Sequence, residues 1–177
     1  MDILISSNLE RLLFELCGRD AATVRNWMAS LKSSGRFELP EPLLAALQAE
    51  FAAGTADDDQ TRAAIRRTFE QTGKLVDPHT AVGLSVLSEL RDNGLGKTVT
   101  LVNATASPYK FVSDVSGALG LAVTGQIFED ARALALRTGT VVPGSISALE
   151  TMEIRHREVA APARMGDTVM AFIGKEA

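Results

Sequence analysis

One stretch, KTVTLVNATASPYKF at residues 97–111, constrains the fold more than any other part of the chain. Residues 98–103 are rich in β-branched side chains and contain neither proline nor glycine, which predicts a strand. Ser107 is a residue type that caps helices, and Pro108 suits the first helical position, where no N–H donor is needed. The pattern therefore predicts a strand, a polar turn and a helix whose apolar face begins at Phe111.

The turn of this unit carries polar groups where α/β proteins hold ligands. In an open α/β sheet, ligands bind outside the carboxyl ends of the strands. Asn103, Thr105 and Ser107 lie at that position in the predicted unit. On pattern alone a structural turn is the preferred interpretation, in which Ser107 only caps the helix and Thr105 only fills the turn.

Composition limits the function classes. The chain has 177 residues, 46% apolar and 23% charged, which suits one domain or a large piece of a bigger protein. A net charge of -4 without Lys/Arg clusters argues against nucleic acid as a partner. No apolar run is long enough for a membrane span, and the first residues do not resemble a signal peptide. The single cysteine, Cys17, falls on an apolar helical face, so we expect a cytoplasmic protein in a reducing compartment.

The first part of the chain predicts a strand followed by a helical lobe. Asp2–Ile5 reads as a buried strand that starts almost at Met1, which suggests that Met1 lies inside a longer protein. A capping box at Ser7 and Glu10 then opens the first helix.

Residues of about 20–72 form amphipathic helices that we interpret as an insertion rather than as sheet crossovers. The first of these helices is predicted to be capped by Asp20 and to end at Gly35. Arg66 lies on the polar side of a later one and is interpreted as facing solvent.

Two local patterns, one within this lobe and one just after it, contain candidate functional residues. The acidic run 57–59 reads as a solvated loop, with the next helix beginning at Thr61. Asp77 then suits a helix cap, with Pro78 at the first helical position. His79 falls in the first turn of that helix, where spacing does not decide between a surface histidine and a residue at the mouth of a cleft.

The last third of the chain adds weaker elements. A short apolar run follows at 121–123. Residues 152–159 alternate weakly, and His156 is interpreted as a peripheral strand residue. A helix is predicted around 126–136, and Pro162 opens the final one. The two histidines and one cysteine lie far apart, so no metal site is predicted. Nucleotide-binding and serine-hydrolase motifs are also absent.

Three motifs in order resemble the C-terminal half of threonine synthase: SSNLERLLFEL at 6–16, DPHTAV at 77–82 and ATASPYKF at 104–111. The similarity runs nearly from end to end. It implies an α/β fold: part of the large-domain sheet of a fold-type II pyridoxal-phosphate enzyme, flanked by helices and carrying a helical insertion. The resemblance further implies a lyase of threonine biosynthesis, which converts O-phosphohomoserine and water to threonine and phosphate.

The resemblance also indicates what is missing. The family forms its Schiff base through a lysine in a Ser-Phe-Lys-Asp type motif and holds the cofactor phosphate in an SGNFGN-type loop. Neither motif occurs, and none of the five lysines matches: Lys32, Lys74, Lys97, Lys110 and Lys175. We therefore expect residues 1–177 to be one fragment without a catalytic residue or covalently bound cofactor of its own. Its implied partner is the missing N-terminal part of the same protein.

Thr105 is the residue that the resemblance assigns to the cofactor. It matches the threonine that lies at the pyridine nitrogen of pyridoxal phosphate. A neutral hydroxyl does not hold that nitrogen protonated as a carboxylate would, which tunes how strongly the cofactor withdraws electrons. Ser107 stands where many relatives have histidine, so the role of that imidazole does not transfer to this chain.

Further residues match positions at the active-site cleft of the family. Three of them are Asn8, Asp77 and His79. The resemblance assigns none of these three a step of the reaction. Lys110 has two interpretations: a structural or solvent-facing lysine, which is preferred, or a group that attracts the substrate phosphate.

A second function class stays open at this point: a free-standing, non-catalytic α/β domain that binds an anion or a protein. An upstream reading frame with a Ser-x-Lys-Asp motif would favour the fragment, whereas a genuine start codon at Met1 would favour the free-standing domain. In the fragment, uncovered strand edges are expected to cause homo-oligomers, with 2–5 as one pairing segment.

Overall fold

Side-chain caps in the sequence set the starts of several helices. The computed structural model describes residues 6–96, 98–155 and 157–175. In these residues it contains nine α-helices: α1 Ser7–Leu16, α2 Ala21–Ser34, α3 Glu41–Glu50, α4 Asp58–Thr72, α5 Pro78–Asp92, α6 Val112–Ala118, α7 Ile127–Thr138, α8 Gly144–Ser147 and α9 Met165–Lys175. It also contains three 3-10 helices: Pro108–Phe111, Ala148–Glu150 and Pro162–Arg164.

The described residues divide into two compact units, one up to Thr140 and the other from Val141. In the first unit, α4 packs against both α5 and α6, and α6 packs against α7. Its core contains Leu13, Ile65, Val115 and Leu134, each at most 1% exposed. α1 packs against α2 and α3.

Several predicted helix ends are confirmed. Asp20 caps α2 by accepting a hydrogen bond from the Ala22 N–H at 2.9 Å. Gly35 ends that helix with a φ of 75°, a left-handed conformation that glycine adopts without steric cost. Helices α2, α3 and α4 occupy the residues of the predicted lobe, while its status as an insertion stays a prediction.

Two helix starts were placed wrongly. Ser6, not Ser7, caps α1: the Leu9 N–H donates to its hydroxyl at 3.4 Å. The acidic run is not a loop, because α4 already begins at Asp58. Asp57 and Gln60 form a reciprocal capping box there, with the Gln60 N–H donating to the Asp57 carboxylate at 2.7 Å.

The predicted partial sheet is not found. Among residues 6–96, 98–155 and 157–175 the structure contains no strand, so 98–103 and the described part of 152–159 are not in one. The predicted strand Asp2–Ile5 and the strand residue His156 lie outside the described residues. The physical reason is that a strand needs a second strand for its backbone hydrogen bonds, so β-propensity alone cannot form one.

The second unit contains α8, α9 and two 3-10 helices. The 3-10 helix at Pro162–Arg164 packs with α9, and the Arg164 Nε pairs with the Asp167 carboxylate at 2.8 Å. This confirms a final helical segment opened by Pro162. No helix within the described parts of the chain is long and apolar enough to cross a membrane. The predicted cytoplasmic location stays a prediction.

Candidate functional site

The start of α5 is a buried hydrogen-bond network centred on Asp77. The Asp77 side chain is 1% exposed and caps the helix by accepting from the His79 N–H at 3.0 Å. It accepts a second bond from the His79 Nδ1–H at 2.9 Å and a third from the Thr80 hydroxyl at 2.5 Å. One carboxylate therefore caps the helix and fixes the histidine ring at the same time.

The electrostatic balance favours an ionised Asp77. Burial raises the pKa of this carboxyl, but the bonds from Thr80 and His79 together outweigh burial and hold the pKa below its ordinary value. An ionised acceptor beside Nδ1 favours the tautomer of the neutral ring that carries its proton on that nitrogen. The His79 ring is thus oriented by its neighbours rather than by solvent.

His79 joins two of the motifs found in the sequence. Its ring lies edge-on to Phe111, with the ring centroids 5.0 Å apart and the planes 66° from parallel. Phe111 ends the 3-10 helix that follows the ATASP turn, so the DPHTAV and ATASPYKF motifs are in direct contact. A sequence pattern gives no distance between such separated residues.

A cleft of about 260 Å³ opens beside this contact, between α4, α5 and the start of α6. It has an apolar floor and a charged rim, formed by Asp58, Thr61, Arg62, Ile65, Pro78, His79, Val82, Phe111 and Asp114. Of the predicted site residues, His79 lines the cleft directly and Asp77 lies buried behind it.

The turn that precedes the 3-10 helix is fixed at its C-terminal end, where that helix begins. Ser107 caps the 3-10 helix by accepting from the Tyr109 N–H at 3.3 Å, which confirms its predicted capping role. Tyr109 is 4% exposed, and its hydroxyl hydrogen-bonds to the Thr140 hydroxyl at 2.6 Å. The turn is thereby fixed to the core of the first unit.

Thr105 and Lys110 are exposed at this turn. The Thr105 hydroxyl makes no hydrogen bond to another residue that the structure describes, which leaves it available to a ligand. Lys110 lies in the exposed part of the 3-10 helix, as the solvent-facing interpretation predicts.

Asn8 is not brought to this cleft. It lies on α1, where its side-chain oxygen accepts from Arg11 one turn later. Sequence reasoning also missed two contributors, Thr80 and Phe111. The D-x-x-T spacing at Asp77 and Thr80 is a signal that could have revealed the first, since residues three apart at a helix start share one face.

Known proteins resemble this chain in sequence and in structure. The threonine synthase of Pseudomonas aeruginosa is 36% identical over 118 residues, which is 67% of this chain and 25% of the relative. A solved structure titled as a threonine synthase from Brucella melitensis with bound PLP, pyridoxal phosphate, is 47% identical over 68% of this chain and 25% of its own, with a TM-score of 0.59. The yeast threonine synthase structure covers 99% of this chain and 36% of its own, at 27% identity and a TM-score of 0.71.

These likenesses first define a class: the chain shares its fold with part of an enzyme that has been solved with pyridoxal phosphate. By sequence, the chain is a relative of the threonine synthases, at 32–39% identity to the bacterial and yeast proteins over about two thirds of its length. It spans about a quarter of the length of these relatives. No protein-family model matches it.

Proposed function

We propose that this chain supplies one wall of the active site of a threonine synthase, the C-terminal part of a pyridoxal-phosphate lyase that converts O-phosphohomoserine and water to L-threonine and phosphate. The sequence similarity to threonine synthases supports the proposed reaction. The quarter-length match supports the view that the rest of the enzyme is needed. On this proposal the isolated chain is inactive.

The observation that carries the proposal is the contact between His79 and Phe111. It brings together two motifs that the resemblance assigns to one cleft, across a distance that the sequence did not specify. The carboxylate of Asp77 orients the histidine, and the capped 3-10 helix positions the phenylalanine. A site residue from either motif would therefore be held in a fixed relation to the other.

Pyridoxal phosphate fits the residues of this wall at one position. The Thr105 hydroxyl is exposed, lacks a hydrogen-bond partner among the described residues and stands just before a fixed turn. It would hold the cofactor at the pyridine nitrogen as a neutral partner. When bound, pyridoxal phosphate supplies the capacity to withdraw electrons from the substrate. The amine and the phosphate loop would come from elsewhere in the enzyme.

The other residues act by position. His79 would border the cleft with its Nδ1 proton held by Asp77, so that the ring presents one fixed orientation. Lys110 has an exposed ammonium group at the same turn, and its attraction for a substrate phosphate is the sharper of its two interpretations. For Asn8, only the match to the family motif supports a role at the active site.

A chimera tests the function: the P. aeruginosa threonine synthase with its matched quarter replaced by this chain. We expect turnover of O-phosphohomoserine to threonine by the chimera and none by the isolated chain. In the chimera, Thr105→Val keeps the shape and removes the hydroxyl. An unmade buried hydrogen bond costs about 1–3 kcal/mol, so turnover should fall about ten- to a hundredfold while the cofactor remains bound.

The matched control is Thr55→Val, the same change at an exposed loop threonine. It should turn over like the unsubstituted chimera. A Thr105→Val chimera with unchanged turnover would remove the cofactor assignment and leave Thr105 as a turn residue. A chimera that folds and binds pyridoxal phosphate but makes no threonine would remove the proposed reaction.

A further inference from the structure

The backbone of residues 98–106 makes no hydrogen bond to the backbone of another described residue. None of the N–H or C=O groups of 99–106 is hydrogen-bonded to another described residue. The Thr98 C=O accepts only from side chains, one of them the Arg91 Nη2 at 3.2 Å. The same segment has strong β-propensity. It can therefore donate and accept a set of strand hydrogen bonds that the described residues of the first unit do not supply.

The apolar side chains of this segment are exposed: Val99 at 97%, Leu101 at 91% and Val102 at 41%. The Thr100 hydroxyl accepts from the Arg91 Nη2 at 3.0 Å. The segment thus presents apolar side chains that the described residues leave uncovered. A strand of an α/β sheet normally buries such side chains under a neighbouring layer.

Both ends of the segment are fixed. Arg91 holds the start through its bonds to Thr98 and Thr100. The Ser107 cap and the buried Tyr109 hold the end. A segment that is tethered at both ends loses less conformational freedom when it pairs, so pairing is favoured over the same sequence in a free loop.

The lengths of the relatives indicate what covers the segment. This chain matches 99% of itself to the yeast threonine synthase structure but only 36% of that structure. We propose that residues 98–103 form a β-strand only when they pair with the part of the threonine synthase fold outside this chain, on the same polypeptide or on a separate one. The inference rests on the proposed function and deepens it, because pairing would also fix Thr105 at the end of the strand.

Amide hydrogen exchange tests the pairing directly. In the isolated chain, the amides of 99–105 should exchange at nearly the rate of an unstructured peptide. In the chimera with the P. aeruginosa enzyme, we expect them to slow by about a hundredfold or more, as strand amides do when opening is rare. Amides inside α5 serve as the internal reference, since they should change little.

Proline variants locate the hydrogen bonds. Thr100→Pro and Leu101→Pro each remove one N–H, and in a strand these two N–H groups point to opposite sides. At least one variant should reduce the protection of 99–105 about tenfold or more. The matched control is Ala53→Pro, at an exposed residue whose N–H bonds to no described residue.

Each outcome decides the inference separately from the function. Fast exchange of 99–105 in a chimera that makes threonine would overturn the pairing and leave the function standing. Protection in a chimera without turnover would support the pairing while the function fails. Protection that appears in the isolated chain and grows with its concentration would show a second copy as the occupant and overturn the proposal. Both proline variants behaving like Ala53→Pro would also overturn it.

Discussion

Asp77 is the residue on which the candidate site depends most. Its carboxylate caps α5 and fixes His79 while nearly fully buried. Asp77→Asn keeps the size and retains a good cap, because asparagine caps helices about as well as aspartate. It removes the charged acceptor and places an amide N–H₂ among donors. We expect a loss of about 1–3 kcal/mol in the free energy of unfolding at pH 7, measured by urea denaturation.

The pH dependence of that loss identifies its cause. The pKa of folded Asp77 lies below its ordinary value of 3.8, so the stabilisation is complete above that value and disappears as pH falls through the folded pKa. The difference between wild type and Asp77→Asn should therefore shrink on acidification below about pH 4. Asp57→Asn, at an exposed cap, is the control and should change stability little. An Asp77 difference that stays constant down to pH 2 would contradict the charged network.

At the scale of elements, one arginine links two helices that carry the cleft. The Arg66 Nε on α4 donates to the C=O of Ala118, the last residue of α6, at 2.8 Å. A cation at a helix C-terminus also interacts favourably with the helix dipole. The sequence had placed Arg66 only on a solvated face. Arg66→Met should lower the free energy of unfolding by about 1 kcal/mol, whereas the exposed Arg67→Met should leave it nearly unchanged in the same urea titration. Equal effects of the two variants would show that this link does not stabilise the fold.

The helices could be predicted because their signals are local. Asp20, Gly35 and Asp77 each act within one turn, so capping rules place those ends correctly. The start of α4 was missed because the acidic run was interpreted as a solvated loop from its charge alone. Asp57 and Gln60 have the residue types and the spacing of a capping box. The strand at 98–103 was predicted from propensity, but a strand also needs a partner distant in sequence, which propensity does not contain.

For the molecule as a whole, the sequence indicated the family and placed Asp77 and His79 together at a helix start, but it did not indicate how the separate motifs meet. The cap at Ser107 follows from its neighbours in the chain, whereas the packing of His79 on Phe111 depends on how α5 and the 3-10 helix cross. Motifs specify residue types, and tertiary packing specifies their distances. Asn8 illustrates the limit: its motif resembles the family as well as the others do, yet its described hydrogen bond stays within α1.

The isolated chain is expected to hold pyridoxal phosphate at no single lysine. Covalent catalysis with pyridoxal phosphate needs an amine held in position beside the bound cofactor. None of the five lysines lies in the family's motif, and the side chains of Lys32, Lys74 and Lys110 are exposed. Incubation of the isolated chain with pyridoxal phosphate, followed by borohydride reduction and mass spectrometry, should therefore give substoichiometric labelling scattered over several lysines. The chimera retains the lysine of the P. aeruginosa enzyme and should give one adduct per chain at that residue. A single stoichiometric adduct on the isolated chain would contradict the prediction, because it would mean that this chain positions an amine of its own.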